Sequence, residues 1–178
     1  MGVSAVHRRP AGGGSRRLLG IDPGSRVTGY GVIDQRGNEL FFVACGVIRT
    51  TPEKTFPERL QELHGGLSEV LATHRPSHAA VEEIFTAVNP RSALKLGHAR
   101  GVLILALMQA GLPVAEFTPM VVKQAVAGYG RAPKEQVQQM VRSLLHLSAS
   151  PSQDAADALA VAICLANHAG VAARLRKP

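Results

Sequence analysis

Short apolar blocks and alternating positions mark the first third of the chain. Leu18, Leu19 and Ile21 form a block that ends on Asp22, and Pro23-Gly24 bends the backbone directly after it. This predicts a strand over 18–22, a turn, a second strand over 27–33, a hairpin connection over 34–38 and a third strand over 40–48. From Thr55 the period lengthens: Leu60, Leu63, Leu67, Val70 and Leu71 make one stripe with Glu58, Glu62 and Glu69 off it, a helix that ends before Pro76. Residues 78–84 read as a short strand, Ala79-Ala80-Val81, that again runs into carboxylates, Glu82 and Glu83. A long helix over 92–110 follows Asn89-Pro90, is apolar nearly all round from Val102, and closes at Gly111. Then come a brief strand over 114–117, a short helix over 120–126, a loop at Gly128-Tyr129-Gly130, and a helix from Pro133 with Val137, Met140, Val141, Leu144 and Leu145 inward. Ser152 is placed to cap a last helix over 153–168. Strands and helices in this order predict an α/β chain with a mixed five-stranded sheet flanked by helices.

Composition sharpens this picture in three ways. A chain of 178 residues with 46% hydrophobic positions suits one domain, expected over 17–170 between a flexible basic tail at 1–16 and a basic C-terminal tail at 171–178. Cys45 and Cys164 lie far apart in apolar segments, which fits free thiols in a reducing compartment; with no secretory hydrophobic core behind the early arginines, a cytoplasmic location is expected. The net charge of +7 is assignable to the two ends, to Arg8, Arg9, Arg16, Arg17, Arg174, Arg176 and Lys177. The stretch 91–142 is nonetheless lopsided: Arg91, Lys95, Arg100, Lys123, Arg131, Lys134 and Arg142 face only Glu116 and Glu135, enough to present one positive surface to phosphates. Taken one at a time, each of these is more simply an ordinary solvated charge.

Four acids sit where charge is costly. Asp22 and Glu82 end apolar strands, and Asp154 and Asp157, three apart on one helix face, stand among alanines, Leu159, Val161 and Ile163. Asp22 alone could be a turn former and Asp154 alone a helix-start preference, but Glu82 and Asp157 have no such explanation. If the two strand ends lie side by side and the last helix packs across them, the four converge. Carboxylates that close need a counter-charge, and an all-oxygen set without a Cys or His group favours Mg²⁺ or Mn²⁺.

Several runs resemble the RuvC family of Holliday junction resolvases. Gly20-Ile21-Asp22-Pro23-Gly24-Ser25-Arg26-Val27-Thr28-Gly29-Tyr30-Gly31 is similar to its first signature, and Glu82-Glu83-Ile84-Phe85, Ser92-Ala93-Leu94-Lys95-Leu96-Gly97, Ala99-Arg100-Gly101, Val122-Lys123-Gln124 and Asp154-Ala155-Ala156-Asp157-Ala158-Leu159-Ala160 follow in the family's order. The resemblance spans about 18–168. It implies a ribonuclease-H-like fold, a homodimer, and an endonuclease that cuts two opposed strands of a four-way DNA junction by symmetric nicks, with RuvA and RuvB branch-migration proteins as partners. It also implies that Asp22, Glu82, Asp154 and Asp157 are the catalytic, metal-binding carboxylates, that Lys123 and Lys134 touch DNA, and that Phe85 stacks or wedges near the crossover. Some relatives carry His at the position of Asp157. Val88 and Pro90 depart from the polar or small residues usual in the loop after Phe85.

The expected chemistry is phosphodiester hydrolysis with two Mg²⁺ per subunit, Mn²⁺ substituting, giving 5′-phosphate and 3′-hydroxyl ends. Recognition should rest on phosphates and branch shape, through Lys95, Arg100, Lys123, Arg131 and Lys134, with Tyr129 a further stacking candidate beside Phe85. Gly97 and Gly101, four apart on the long helix, suit a close dimer contact or a tightly packed core helix. Competing readings are a ribonuclease-H-like enzyme acting on RNA and a junction-binding module without catalysis. The actin and sugar-kinase ATPases share the opening strand and turn but need two duplicated domains.

Overall fold

A computed structural model describes residues 15–83 and 89–175, those from 169 onward by their backbone alone. Phe85 and Val88, and the early arginines Arg8 and Arg9, lie outside the described residues. The elements are β1 (Arg16–Asp22), β2 (Val27–Arg36), β3 (Glu39–Arg49), α1 (Phe56–His74), β4 (His78–Glu82), α2 (Pro90–Gln109), β5 (Val114–Phe117), α3 (Pro119–Ala127), α4 (Lys134–Leu144) and α5 (Gln153–Leu175). The sheet order is β3-β2-β1-β4-β5, with the first three strands antiparallel and β1, β4 and β5 parallel. The mixed five-stranded sheet is therefore as the sequence pattern implies.

Strand alternation divides the core in two. Leu18 and Ala80 pack with α3, α4 and α5 on one face, while Leu19, Ile21, Ala79 and Val81 pack with α1 and α2 on the other. Leu18, Leu19 and Ile21 are fully buried, and each such side chain contributes about 1.5–3 kcal/mol relative to exposure. Two residues further along the first face from Leu18 and Gly20 comes Asp22, and two beyond Ala80 comes Glu82. Both strands thus aim their terminal carboxylates toward α5.

Three boundaries differ from the sequence pattern for identifiable reasons. β2 continues through Asp34 to Arg36, so the connection shrinks to Gly37-Asn38, with Gly37 at φ 59. Asp34 stays in the strand because it stands opposite Arg17 and binds that guanidinium. β1 starts at Arg16, so that residue belongs to the sheet and not to the basic tail expected over 1–16. α2 begins at Pro90 because Asn89 Oδ1 accepts from the Ser92 amide at 2.8 Å. α5 runs on to Leu175, past the end expected at His168, so part of the segment read as a C-terminal tail is helical, Arg174 included.

Candidate active site

β1 and β4 run parallel with Ile21 opposite Val81, so one more residue sets Asp22 beside Glu82 at the open end of the ladder. Adjacent strands lie about 4.8 Å apart, which brings the two carboxylates into each other's field. The turn after Asp22 is tight: a Cβ on Gly24 would lie 1.8 Å from the Val27 carbonyl oxygen, and Thr28 Oγ1 donates to the Gly24 carbonyl at 2.8 Å. The backbone therefore leaves the sheet at once and does not cover Asp22.

α5 reaches this end because the sheet beneath it carries glycines. A Cβ on Gly20 would stand 2.2 Å from the Ala158 carbonyl oxygen, one on Gly29 2.0 Å from that of Asp154, and one on Gly31 2.7 Å from the Leu159 amide nitrogen. Helix backbone lies directly on strand backbone there, with alanines filling the seam. Gly29 is the β2 partner of Asp22, so the contact that seats the first turn of α5 also sets Asp154 next to Asp22. Asp157 follows three residues on, on the same face of α5. Small residues at Gly20, Gly29 and Gly31 in otherwise apolar strands are the sequence signal of this close seating, one that periodicity alone does not reveal.

The electrostatics follow from this placement. Burial, then Glu82, Asp157 and Asp154, push the Asp22 carboxyl up to about 8, against a lowering pull from Lys134. Glu82 is raised to about 7 by burial and then Asp157, opposed by Lys134 and Lys123. Asp157 is also raised, by burial and by Asp154, with the same two lysines opposing. Lys134, at the start of α4, holds its Nζ 3.6 Å from Asp157 Oδ2 while remaining more than half exposed. Among the described residues no three His, Cys, Asp or Glu side chains are close enough to grip one ion. The four carboxylates are therefore an open arrangement. The donor set itself is all oxygen and fits a hard divalent cation.

The other expected DNA contacts are scattered. Lys123 on α3 and Lys134 flank the carboxylates; Arg131 and Tyr129 are exposed between α3 and α4, with the Tyr129 hydroxyl donating to Gln136 Oε1. Lys95 lies elsewhere, its Nζ 5.8 Å from the ring of Phe56 at the start of α1. Arg100 is held by the sheet: its Nε donates to the Glu82 carbonyl at 3.2 Å and its guanidinium pairs with Glu116 of β5. Both cysteines are free; burial raises both thiols, Cys164 to about 12, so neither is a poised nucleophile.

Residues 18–165 match the family model described as crossover junction endodeoxyribonuclease RuvC. The crossover junction endodeoxyribonuclease RuvC of Geobacter metallireducens is 58% identical over 160 residues, covering 90% of this chain and 98% of that one. The solved structure of T. thermophilus RuvC in complex with Holliday junction substrate superposes with a TM-score of 0.83 at 39% identity, covering 88% of this chain and 96% of that chain. The yeast mitochondrial Holliday junction resolvase Ydc2, at 15% identity and a TM-score of 0.65 over 89% of this chain and 81% of its own, shares the fold. A ribonuclease-H-like sheet with three elements converging on four acids, matched along nearly its whole length, places the chain in the RuvC family of crossover junction endodeoxyribonucleases.

Proposed function

We propose that this protein resolves four-way DNA junctions in recombination and repair by metal-dependent hydrolysis, cutting two opposed strands by symmetric nicks. The observation that carries this reading is the convergence of Asp22, Glu82, Asp154 and Asp157 from two strand ends and one helix, where burial first and then the three neighbouring acids push Asp22 up to about 8. A cluster that resists ionisation on its own is built for a positive ligand. Bound divalent cations, two Mg²⁺ per subunit in this reading with Mn²⁺ substituting, would supply the acidity that activates a water and the charge that stabilises the leaving oxygen.

The chain's own part is placement and charge. Asp22 and Glu82 are fixed by two strand ends and Asp154 and Asp157 by one helix, and Asp22 would hold a cation as its carboxylate. Lys123 and Lys134 add positive potential at the rim, where a phosphate must arrive. In this reading the nucleophile is water, and hydrolysis leaves 5′-phosphate and 3′-hydroxyl ends.

Two symmetric nicks suit two equivalent sites. On α2, Leu94, Gly97, Gly101, Leu105 and Met108 form one stripe; the leucines and the methionine are 63%, 53% and 57% exposed, and nothing lies within 4 Å of a Cβ added at either glycine. This stripe supports an isologous homodimer with one site per subunit. Among the described residues no helix is long and apolar enough to cross a membrane. The test is a mobile synthetic four-way junction incubated with Mg²⁺ or Mn²⁺. Paired nicks at symmetric positions are expected; intact junction, or cutting restricted to linear duplex or RNA, overturns the reading.

A further inference from the structure

The parallel ladder between β1 and β4 has a missing rung at the active site. Glu83 donates its amide to the Phe117 carbonyl at 2.8 Å, so it faces β5, and by strand alternation the Glu82 carbonyl faces β1. With Gly20 opposite Ala80 and Ile21 opposite Val81, the ladder's next donor to that carbonyl is the amide of residue 23. Residue 23 is Pro23, which has no N–H. The carbonyl accepts instead from Arg100 Nε at 3.2 Å, on a side chain that comes from α2 and is itself anchored by Glu116.

The geometry points to Arg100 as a positioning residue for Glu82, standing in for the backbone donor that Pro23 removes. The Asp-Pro step frees Asp22 and Glu82 from a closed ladder, which gives the carboxylates room but leaves the last peptide of β4 held by β5 alone. Arg100 restores the second anchor, so the Glu82–Glu83 peptide is fixed through both its carbonyl and its amide. Its planar fork makes this possible, since one nitrogen reaches the Glu82 carbonyl and another the Glu116 carboxylate. A phosphate contact by Arg100 would require breaking this pairing.

The test compares wild type with Arg100→Gln, Arg100→Lys and Glu116→Gln in the full-length protein. Its first arm reads amide hydrogen exchange at Glu83 by NMR without DNA; both Arg100 variants should exchange at least about tenfold faster there, with melting temperatures and β1–β2 amides little changed. The second arm rests on the nuclease reading above. Junction affinity and its salt dependence should stay within about twofold of wild type, while the single-turnover cleavage rate at saturating protein falls about tenfold or more, less for Glu116→Gln, which keeps the carbonyl bond. Unchanged Glu83 exchange overturns the inference whatever the enzyme does. So does a phosphate-contact signature: weaker junction binding with a salt slope reduced by about one and an unchanged rate at saturation. Wild-type failure to cut would sink the nuclease reading and leave the exchange result to decide the role of Arg100.

Discussion

The two ends of β1 handle buried charge in opposite ways. At the first end, Arg17 donates through Nε and a terminal nitrogen to the two oxygens of Asp34 at 2.8 and 2.9 Å and through its other nitrogen to the His74 carbonyl at 3.0 Å. At the other end, Asp22 takes part in none of the ion pairs formed among the described residues and faces three more acids. The first end spends its charge within the protein, as a fork that ties β1 to β2 and to the end of α1. The second end keeps its charge uncompensated, and the strand that joins them is fully buried through Leu18, Leu19 and Ile21. A satisfied charge and an unsatisfied one thus stand at opposite ends of one seven-residue strand.

The largest effect should come from Asp22→Asn. Junction cleavage should fall by about 10³-fold or more, because the carboxylate between both strands and the helix is lost. Melting temperature should rise, because a buried acid surrounded by three others is replaced by a neutral amide of the same shape. Single-turnover kinetics with calorimetry would check both; cleavage within tenfold of wild type would erase the distinction between the ends. Next is Gly29→Ala, whose new Cβ meets the Asp154 carbonyl at 2.0 Å. Displacing the start of α5 should cost about 1–3 kcal/mol in denaturant unfolding and lower the cleavage rate more than the junction affinity.

Why some of this was readable in the chain and some was not follows from the same two ends. The apolar block before Asp22, its twin before Glu82 and the i, i+3 spacing of Asp154 and Asp157 are local patterns, and the strands, the last helix and the four acids were legible from them. The Arg17–Asp34 fork depends on antiparallel register across 17 residues, which no local pattern specifies, so in the sequence Arg17 is only a basic residue ahead of the first apolar block and Asp34 part of a hairpin connection. Arg100 sits among the basic residues of 91–142 and looks like any of them until α2 is placed against β4 and β5. Lys95 is similar, since only packing shows its ammonium over Phe56. Periodicity reports which side of an element is buried but not which neighbour covers it.

A third prediction separates the ends by pH. Asp22 at about 8 and Glu82 at about 7 bind protons in the folded, metal-free state that their unfolded forms lose near pH 4. The folded state then binds more protons than the unfolded one across that window, so stability is fullest below about pH 4 with respect to these groups and declines as pH rises through about 7 to 8. In chelator, the melting temperature should drop by on the order of 5 °C between pH 5 and pH 8 relative to Asp22→Asn, and Mg²⁺ should reverse the drop most strongly at the alkaline end. A pH profile shared by wild type and Asp22→Asn would show that the open end stores no such penalty.

The smallest effect belongs to the satisfied end and is the sharpest control. Arg17 and Asp34 side chains are 24% and 15% exposed, so their bidentate pair is partly screened and should be worth about 1 kcal/mol. A double-mutant cycle of Arg17→Gln and Asp34→Asn in urea should return a coupling of that size. Each single variant leaves its partner half-buried without a counter-charge, so each should cost more than the double. Cleavage at saturating protein should stay within about twofold of wild type in all three, because the fork holds strand to strand and touches nothing at Asp22. A loss of cleavage comparable to that of Gly29→Ala would mean that β1 transmits strain along its length, and that the buried leucines between the two ends do not insulate one from the other.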